Sequence, residues 1–382
     1  MSPRADVLVD VTPLQSDHRL RGVGTYAREL TRALLDEAPD RVTCLASFAG
    51  RQWLPPDLAA HSVFGWRAHR PAQVYWLYNE LFLRAALARF RPEVFHGPDF
   101  NGIAFAAGTR TVATLHDLMP LDEPRGRGWS ARASHWRWQV YYRQKLPRAH
   151  HVIALSDAVA EAAQIRLGLP PDRVTVIPPG VSSRFSPGER GRGRFAGRTP
   201  YWLFLGAEAP NKNLPRVLAA LARLDRTRPW SLVAAGAWQP GHLAPWRRRA
   251  AALGLADRID WVGPVPDEDL SSLYANALGL VCPSLDEGFG LPAIEAMASG
   301  IPAVISNRPP LSAVGGSAAA LVDPLSVDAL ARTLSGLLEQ PRLREDLGRR
   351  GLAQAQSYSW SRAARATLGV YDRVAAGAGR LP

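Results

Sequence analysis

The stretch DEGFGLPAIEAM, residues 286–297, sets Glu287 and Glu295 eight positions apart around a Gly-Phe-Gly-Leu-Pro turn. A carboxylate accepts two hydrogen bonds from a vicinal diol, so paired acids at a loop suit a hydroxyl-rich ligand. Gly288 and Gly290 disfavour helix, while Pro292 suits the first position of one. The backbone N–H groups of Gly288, Phe289, Gly290 and Leu291 then lie between the two acids. Glu295 alone is well explained as a carboxylate complementing the positive end of a starting helix. The pair and its turn together are better explained by one shared ligand.

Lys212, in PNKNL, sits between an apolar run and a helical pattern. Only two lysines occur, Lys145 and Lys212, every other basic residue being arginine or histidine. A lysine retained in that background, just after a strand, points to a diphosphate contact rather than a solvated loop cation. A unit charge pair at about 4 Å is worth roughly 4 kcal/mol at an effective dielectric of 20. That is enough to matter for a leaving group that gains charge. Asn211 and Asn213 flank this lysine and Arg216 follows a turn later, which leaves a second cation open.

RGVGTYA (21–27) matches a G-x-G-x-x-A dinucleotide fingerprint in letters only. That fingerprint must follow its strand at once, and about ten residues intervene after Val11. The better reading is a glycine loop opening a helix near Val23, with Gly22 and Gly24 letting backbone amides approach a diphosphate. A plain loop-to-helix turn is the alternative at Gly22. His116 and Asp117 directly follow the strand-like TVATL, a position where ligands bind. His96, in VFHGPDF, is a weaker acceptor-side candidate. RGRGWSARASHWRWQVYYRQK (125–145) interleaves Trp129, Trp136, Trp138, Tyr141 and Tyr142 with arginines. Two readings stay open there: a membrane-surface contact, or a helix with a buried aromatic stripe and a solvated basic face.

The elements that must position these residues read as two halves with one rhythm. Apolar runs stand at 7–11, 42–47, 94–97, 111–115, 151–155 and 174–178, then at 201–206, 231–236, 259–263, 278–283 and 302–306. Between the first two runs, Val23, Tyr26, Ala27, Leu30, Ala33 and Leu34 form a helical stripe. Leu214, Val217, Leu218, Leu221 and Leu224 do the same in the second half. Near-continuous apolar strands separated by helices predict parallel sheets covered on both faces. The fold class is α/β: two doubly wound, Rossmann-like domains, expected to face each other across a cleft with ligands at the carboxyl ends of the strands. The expected boundaries are 1–184 and 201–357, joined by a Gly/Pro/Arg-rich linker at 185–200. A C-terminal helix in 358–382 is expected to pack back on the N-terminal domain.

A chain of 382 residues is comfortable for two such domains. Cys44 and Cys282 offer neither a disulfide framework nor metal-ligand spacing, which fits a reducing, cytoplasmic setting. No stretch approaches the ~20 apolar residues of a membrane span, and no long apolar leader opens the chain. Peripheral contact at the inner face of the membrane stays open. The formal charge of +12 is suited to polyanionic partners, although the near-absence of lysine makes coding bias a sufficient source of many arginines.

The acid pair in EGFGLPAIEAMASGIP resembles the E-x7-E motif of retaining glycosyltransferases of family 4, which have the GT-B fold. RGVGTYAREL, ATLHDLMPL, HVIALSDAVAE, VIPPGV, FLGAEAPNKNLPRVL, WVGPVPDEDLSSLY and LVDP extend the resemblance, in order, over nearly the whole chain. It implies that residues 1–184 bind the acceptor and residues 201–357 the nucleotide sugar, of GDP or UDP type. It implies that Glu295 holds the ribose hydroxyls, and that Glu287 with the amides of Phe289, Gly290 and Leu291 contacts the transferred sugar and its phosphate. Lys212 is implied on the diphosphate, His116 against the donor sugar, and Asp117 as a loop-orienting or acceptor-binding residue. Catalytic roles thus fall on His116, Asp117, Lys212 and Glu287, and donor binding on Gly22, Gly24, Lys212, Glu287, Gly288, Phe289, Gly290, Leu291 and Glu295. The subgroup commonly reads R-G-I-G-R-Y where this chain has Thr25.

The expected activity is transfer of a hexose, with a lean toward mannose, to an acceptor hydroxyl with retention. The setting is cell-surface glycan, polysaccharide or glycosylated natural-product biosynthesis. No metal cluster or D-x-D motif stands out, so no metal and no organic cofactor is expected. The partners are the nucleotide-sugar donor and a glycan, lipid-linked or small-molecule acceptor. The rival is a basic nucleic-acid- or membrane-surface-binding protein without transferase activity; nucleic acid is not expected, because the glutamate pair has no task there. A phosphorylase would need pyridoxal phosphate on one of the two lysines, and an NAD-dependent oxidoreductase fails on fingerprint spacing.

Overall fold

The computed structural model describes residues 6–65, 75–99, 102–122, 129–206, 209–236, 238, 241 and 243–377. The chain divides into two units, one of residues 1–180 with 360–382, the other of residues 181–359. Each is built on its own parallel sheet.

The first unit carries β1 (Val7–Asp10), β2 (Val42–Ser47), β3 (Ser62–Gly65), β4 (Val94–Gly97), β5 (Arg110–Leu115), β6 (His151–Ala154) and β7 (Val174–Val176). Their order across the sheet is β3-β2-β1-β4-β5-β6-β7. The direction of winding reverses between β1 and β4, which opens a crevice at their carboxyl ends. The strands are apolar on both sides because both faces are covered. One face packs Leu8, Leu45 and Phe95 against Phe82, Leu83 and Leu87 of the helix Tyr75–Phe90. Over the later strands, Leu115, Val152 and Ala154 pack with Tyr142, Leu146, Val159 and Ala163.

The helix Gly22–Glu37 buries Tyr26, Ala27, Leu30, Ala33 and Leu34, all of the expected stripe but Val23, which is half-buried in the first turn. The helix Trp360–Ala375 belongs to this same unit and buries Ala364, Thr367, Val370 and Tyr371. Tyr26 stacks edge-on with Trp360, and Arg41 pairs with Asp372 at 2.5 Å, so the last helix is held by both packing and charge.

The second unit carries β8 (Tyr201–Leu205), β9 (Ser231–Ala235), β10 (Ile259–Gly263), β11 (Gly279–Cys282), β12 (Ala303–Ser306) and β13 (Ala320–Val322) in the order β10-β9-β8-β11-β12-β13. Its reversal falls between β8 and β11. Trp202, Phe204, Val217, Leu218, Leu221, Leu232 and Val281 form the centre of its core.

Two results differ from the sequence reading. The strands β3 and β13 are additional, and both lie at sheet edges, where short strands need little apolar pattern. Residues 185–200 are not a free linker. Phe195 is fully buried, its amide is donated to Ser272 Oγ at 3.2 Å, and the amide of Gly191 goes to Asn276 Oδ1 at 2.7 Å. Arg194 pairs with Asp269. The segment therefore wraps the helix Asp267–Ala275 as part of the second unit.

The basic aromatic segment 125–145 lies partly outside the described residues, including 125–128. In the rest, Trp138, Tyr141 and Tyr142 cluster inward, while Trp136 is 66% exposed. Lys145 is ion-paired with Glu80. No helix among the described residues is long and apolar enough to cross a membrane.

Candidate functional site

Two loops meet at the winding reversal of the second sheet. One follows β8 and holds Asn211, Lys212 and Asn213; the other follows β11 and holds Pro283 to Gly290. They are joined at four points. The amide of Leu285 goes to Asn211 O at 2.7 Å, and Asn211 Nδ2 donates to Asp286 O at 3.0 Å. Asn213 Nδ2 donates to Pro283 O at 2.9 Å and also to Pro324 O, beyond β13, at 2.7 Å. Lys212 Nζ meets Glu287 Oε1 at 2.5 Å.

This stitching explains the backbone. Asn213 adopts φ 63°, a left-handed conformation that asparagine tolerates better than most residues, and holds the N-cap position of the helix Leu214–Leu221 without a side-chain cap bond, its amide being spent on the two loops. Arg216, in the first turn of that helix, donates to Asn213 Oδ1 at 3.0 Å, which brings a second cation to the same loop. Gly206, just beyond β8, faces the lysine stem: a Cβ there would lie 2.9 Å from Lys212 Cγ.

The acids are equally fixed. Glu287 Oε1 accepts from Lys212 and from Ser284 Oγ, the latter at 2.7 Å, with Ser284 itself buried. The Lys212 and Glu287 side chains are 20% and 11% exposed, so the pair is neither solvent-screened nor fully sealed. Glu295, in the helix Leu291–Ala298, accepts at Oε2 from the Tyr274 hydroxyl at 2.5 Å. Burial, followed by the neighbouring Glu295 charge, pushes the Tyr274 hydroxyl well above its ordinary range, so it remains a donor.

The turn between the acids has its own logic. Gly290 has φ 108°, and a Cβ there would lie 2.3 Å from Leu311 Cδ2. Phe289 is 5% exposed and its ring stacks edge-on with Tyr358, so its side chain belongs to the core. Leu291 opens the helix and Pro292 is its second residue, one position later than the sequence suggests. Gly288 and Leu291 are both half-buried.

In the first unit, His116 and Asp117 directly follow β5. His116 is 8% exposed, its Nε2 lies 2.7 Å from Pro98 O, and its ring meets Tyr26 edge-on. A carbonyl only accepts, so Nε2 carries the proton and the neutral ring keeps its acceptor lone pair on Nδ1. Burial holds the imidazole below its ordinary pKa, against the opposing effect of the Pro98 carbonyl. Asp117 Oδ1 accepts from the Met119 amide at 3.0 Å, which shapes the loop.

Gly24 is explained by its own chain: a Cβ there would lie 2.4 Å from His18 O. Gly22 is exposed at the first position of the helix. His96 is a core residue, with Tyr371 Oη 2.6 Å from Nδ1 and Thr114 Oγ1 2.8 Å from Nε2. Burial lowers its pKa to about 3.

Sequence reasoning missed Ser284, Tyr274 and Gly206. Ser284 lies three residues before Glu287 and was within reach of a spacing argument. Tyr274 supports Glu295 from another helix, and no local pattern reveals that.

Comparison with known proteins gives a consistent picture. The profile described as Glycosyltransferase Family 4 matches residues 20–185, and that described as Glycosyl transferases group 1 matches residues 187–354. O-antigen chain mannosyltransferase B of Escherichia coli is 32% identical over 312 residues, which covers 75% of this chain and 76% of that protein. The MMP alpha-(1->4)-mannosyltransferase of Mycolicibacterium hassiacum is 32% identical over 280 residues, covering 70% of this chain and 66% of that one. Among solved structures, sucrose-phosphate synthase from Thermosynechococcus elongatus superposes with a TM-score of 0.76 at 22% identity, over 98% of this chain and 100% of that one.

Proposed function

The chain belongs to the glycosyltransferases, family 4 in its first half and group 1 in its second, and from that premise we propose a retaining mannosyl transfer from a nucleotide diphosphate sugar to an acceptor hydroxyl. It is a hexosyltransferase of GT-B fold; the donor, the stereochemistry and the residue roles are the proposal. Mannose is favoured by the two mannosyltransferase relatives. The observation that carries the reading is the Lys212–Glu287 pair, built across the winding reversal of the second sheet by two cross-linked loops.

In this reading the C1–O bond to the phosphate breaks and the nucleoside diphosphate leaves with the bonding electrons. The acceptor oxygen attacks from the same face, and its proton passes to the departing phosphate oxygen. Lys212 lies on the diphosphate, supported by Arg216, and stabilises the charge that develops there. Glu287 holds Lys212 through Oε1 and meets the transferred sugar. The amides from Gly288 to Leu291 donate to sugar and phosphate oxygens, and Glu295 takes the ribose diol. His116 offers its Nδ1 lone pair to a donor-sugar hydroxyl, while Asp117 orients that loop. Gly22 opens the first helix toward the phosphates. No metal and no organic cofactor enters this scheme.

Exposed Trp136 favours an added peripheral contact of the first unit with a membrane surface. The rival nucleic-acid reading leaves the fixed Glu287 and Glu295 without a task.

The reading is tested by thermal shift with GDP- and UDP-hexoses, followed by NMR of the product anomer. Saturation at 100 times Kd stabilises a fold by about 2.7 kcal/mol. Stabilisation by a GDP-hexose and an α-linked product from an α-linked donor support it; no shift with any donor at millimolar concentration contradicts it.

A further inference from the structure

The first sheet carries a second side-chain pair at the place that Lys212 and Glu287 occupy in the second. The winding of the first sheet reverses between β1 and β4. His18 lies in the turn Asp17–Leu20 that follows β1, and Asp99 lies two residues beyond β4. His18 Nδ1 is 2.8 Å from Asp99 Oδ2, so the pair closes across the reversal point. In an open parallel sheet that crevice, at the carboxyl ends of the strands, is where ligands bind.

Asp99 is 2% exposed, and its Oδ1 is buried with no hydrogen-bond partner among the described residues. A buried carboxylate oxygen that accepts nothing is costly, and native structures rarely keep one without a use. Since a carboxylate only accepts, Nδ1 of His18 carries the shared proton. The neighbouring backbone is already committed: the Pro98 carbonyl, beside Asp99, accepts a hydrogen bond from His116 Nε2. The atom that lacks a partner is therefore an acceptor, and it repels phosphate.

We propose that His18 and Asp99 form a subsite for a neutral polyol, the acceptor of the transfer, with one acceptor hydroxyl donating to Asp99 Oδ1. This rests on the hexosyl-transfer reading and adds to it the acceptor's chemical class. The carboxylate selects a hydroxyl-bearing, uncharged part of the acceptor at this point and disfavours an anionic one.

Asp99→Asn is the informative substitution. Its amide oxygen can still accept from His18, while its NH2 replaces an acceptor by a donor at the vacant position. The assay measures release of nucleoside diphosphate from GDP-mannose in water alone, then with glycerol, myo-inositol, methyl α-mannoside, α-1,2-mannobiose and glycerol 3-phosphate as probes. The expected result is that a neutral polyol stimulates the wild type. Asp99→Asn then raises its half-saturating concentration about tenfold, one hydrogen bond's worth of affinity. Release into water and the donor KM stay within about twofold, with the melting temperature preserved. His18→Gln shows the same split and keeps the comparison available if Asp99→Asn fails to fold.

An unchanged half-saturation in both variants overturns the proposal. So does an equal loss of release into water, a wild type stimulated by glycerol 3-phosphate alone, or one that no probe stimulates. If the wild type releases no nucleotide from any donor, the hexosyl-transfer reading itself falls, an outcome distinct from all of these.

Discussion

The Tyr274 hydroxyl donates to Glu295 Oε2 at 2.5 Å, tying the helix Asp267–Ala275 to the helix Leu291–Ala298. The ring is fully buried and packs edge-on against Phe185. The hydrogen bond thus fixes the orientation of the Glu295 carboxylate from a neighbouring helix.

Tyr274→Phe keeps the ring and removes the donor. Glu295 would bind the ribose equally in ground and transition states, so its misplacement weakens binding without slowing chemistry. The expected outcome is a donor KM raised about tenfold, since a hydrogen bond to a charged group is worth about 1.5–3 kcal/mol. Steady-state kinetics should show kcat within about threefold. A fall in kcat at unchanged KM would contradict this role.

Gly290→Ala tests the turn. The position needs φ 108° and has no room for a Cβ beside Leu311. Such backbone strain costs on the order of 1–3 kcal/mol, and the contact adds to it. Chemical denaturation should show that loss together with weaker donor binding. Gly336→Ala, in the helix Val327–Glu339, would meet nothing nearer than 4.0 Å and serves as the comparison, expected to be milder in stability.

Acid should unfold the first unit partly through His96. Its pKa is about 3 when folded, below the ordinary 6.5, so the fold holds it neutral while the unfolded chain protonates it. The stability it provides is complete above pH 6.5 and is lost as pH falls toward 3. The slope from one such group is at most about 1.4 kcal/mol per pH unit. Melting curves from pH 7 to pH 4 should therefore be flatter for His96→Gln than for wild type, and parallel curves would exclude this contribution.

Cation assistance from Lys212 and Arg216 in place of a divalent ion predicts insensitivity to chelation. Activity in excess EDTA should stay within about twofold of the untreated enzyme, whereas loss of a metal that stabilises the leaving group costs several kcal/mol. Loss of activity restored by Mg²⁺ or Mn²⁺ would contradict it.

Much of this was legible in the sequence, for identifiable reasons. The central strands are buried on both faces, so each reads as an apolar run; His116 directly follows one of them, and Lys212 and Glu287 stand in the loops after two others. Edge strands Ser62–Gly65 and Ala320–Val322 are too short and too lightly buried to announce themselves. Residues 185–200 looked like a linker because one anchor, Phe195, makes no periodicity. The Tyr274–Glu295 and His18–Asp99 contacts join separate elements, and only the folded chain brings them together. Asn213 belongs in the same class, since its two loop contacts, to the Pro283 and Pro324 carbonyls, follow from sheet order rather than from neighbours in sequence.

The most direct test is kcat of Lys212→Ala in a protein shown to be folded, with GDP-mannose and a stimulating acceptor. Loss of one preorganised donor to developing charge costs roughly 100- to 1000-fold in turnover. Glu287→Gln, measured alongside, separates loss of the cation from exposure of an unpaired carboxylate. The account predicts that fall in kcat for Lys212→Ala; turnover near that of the wild type would contradict it.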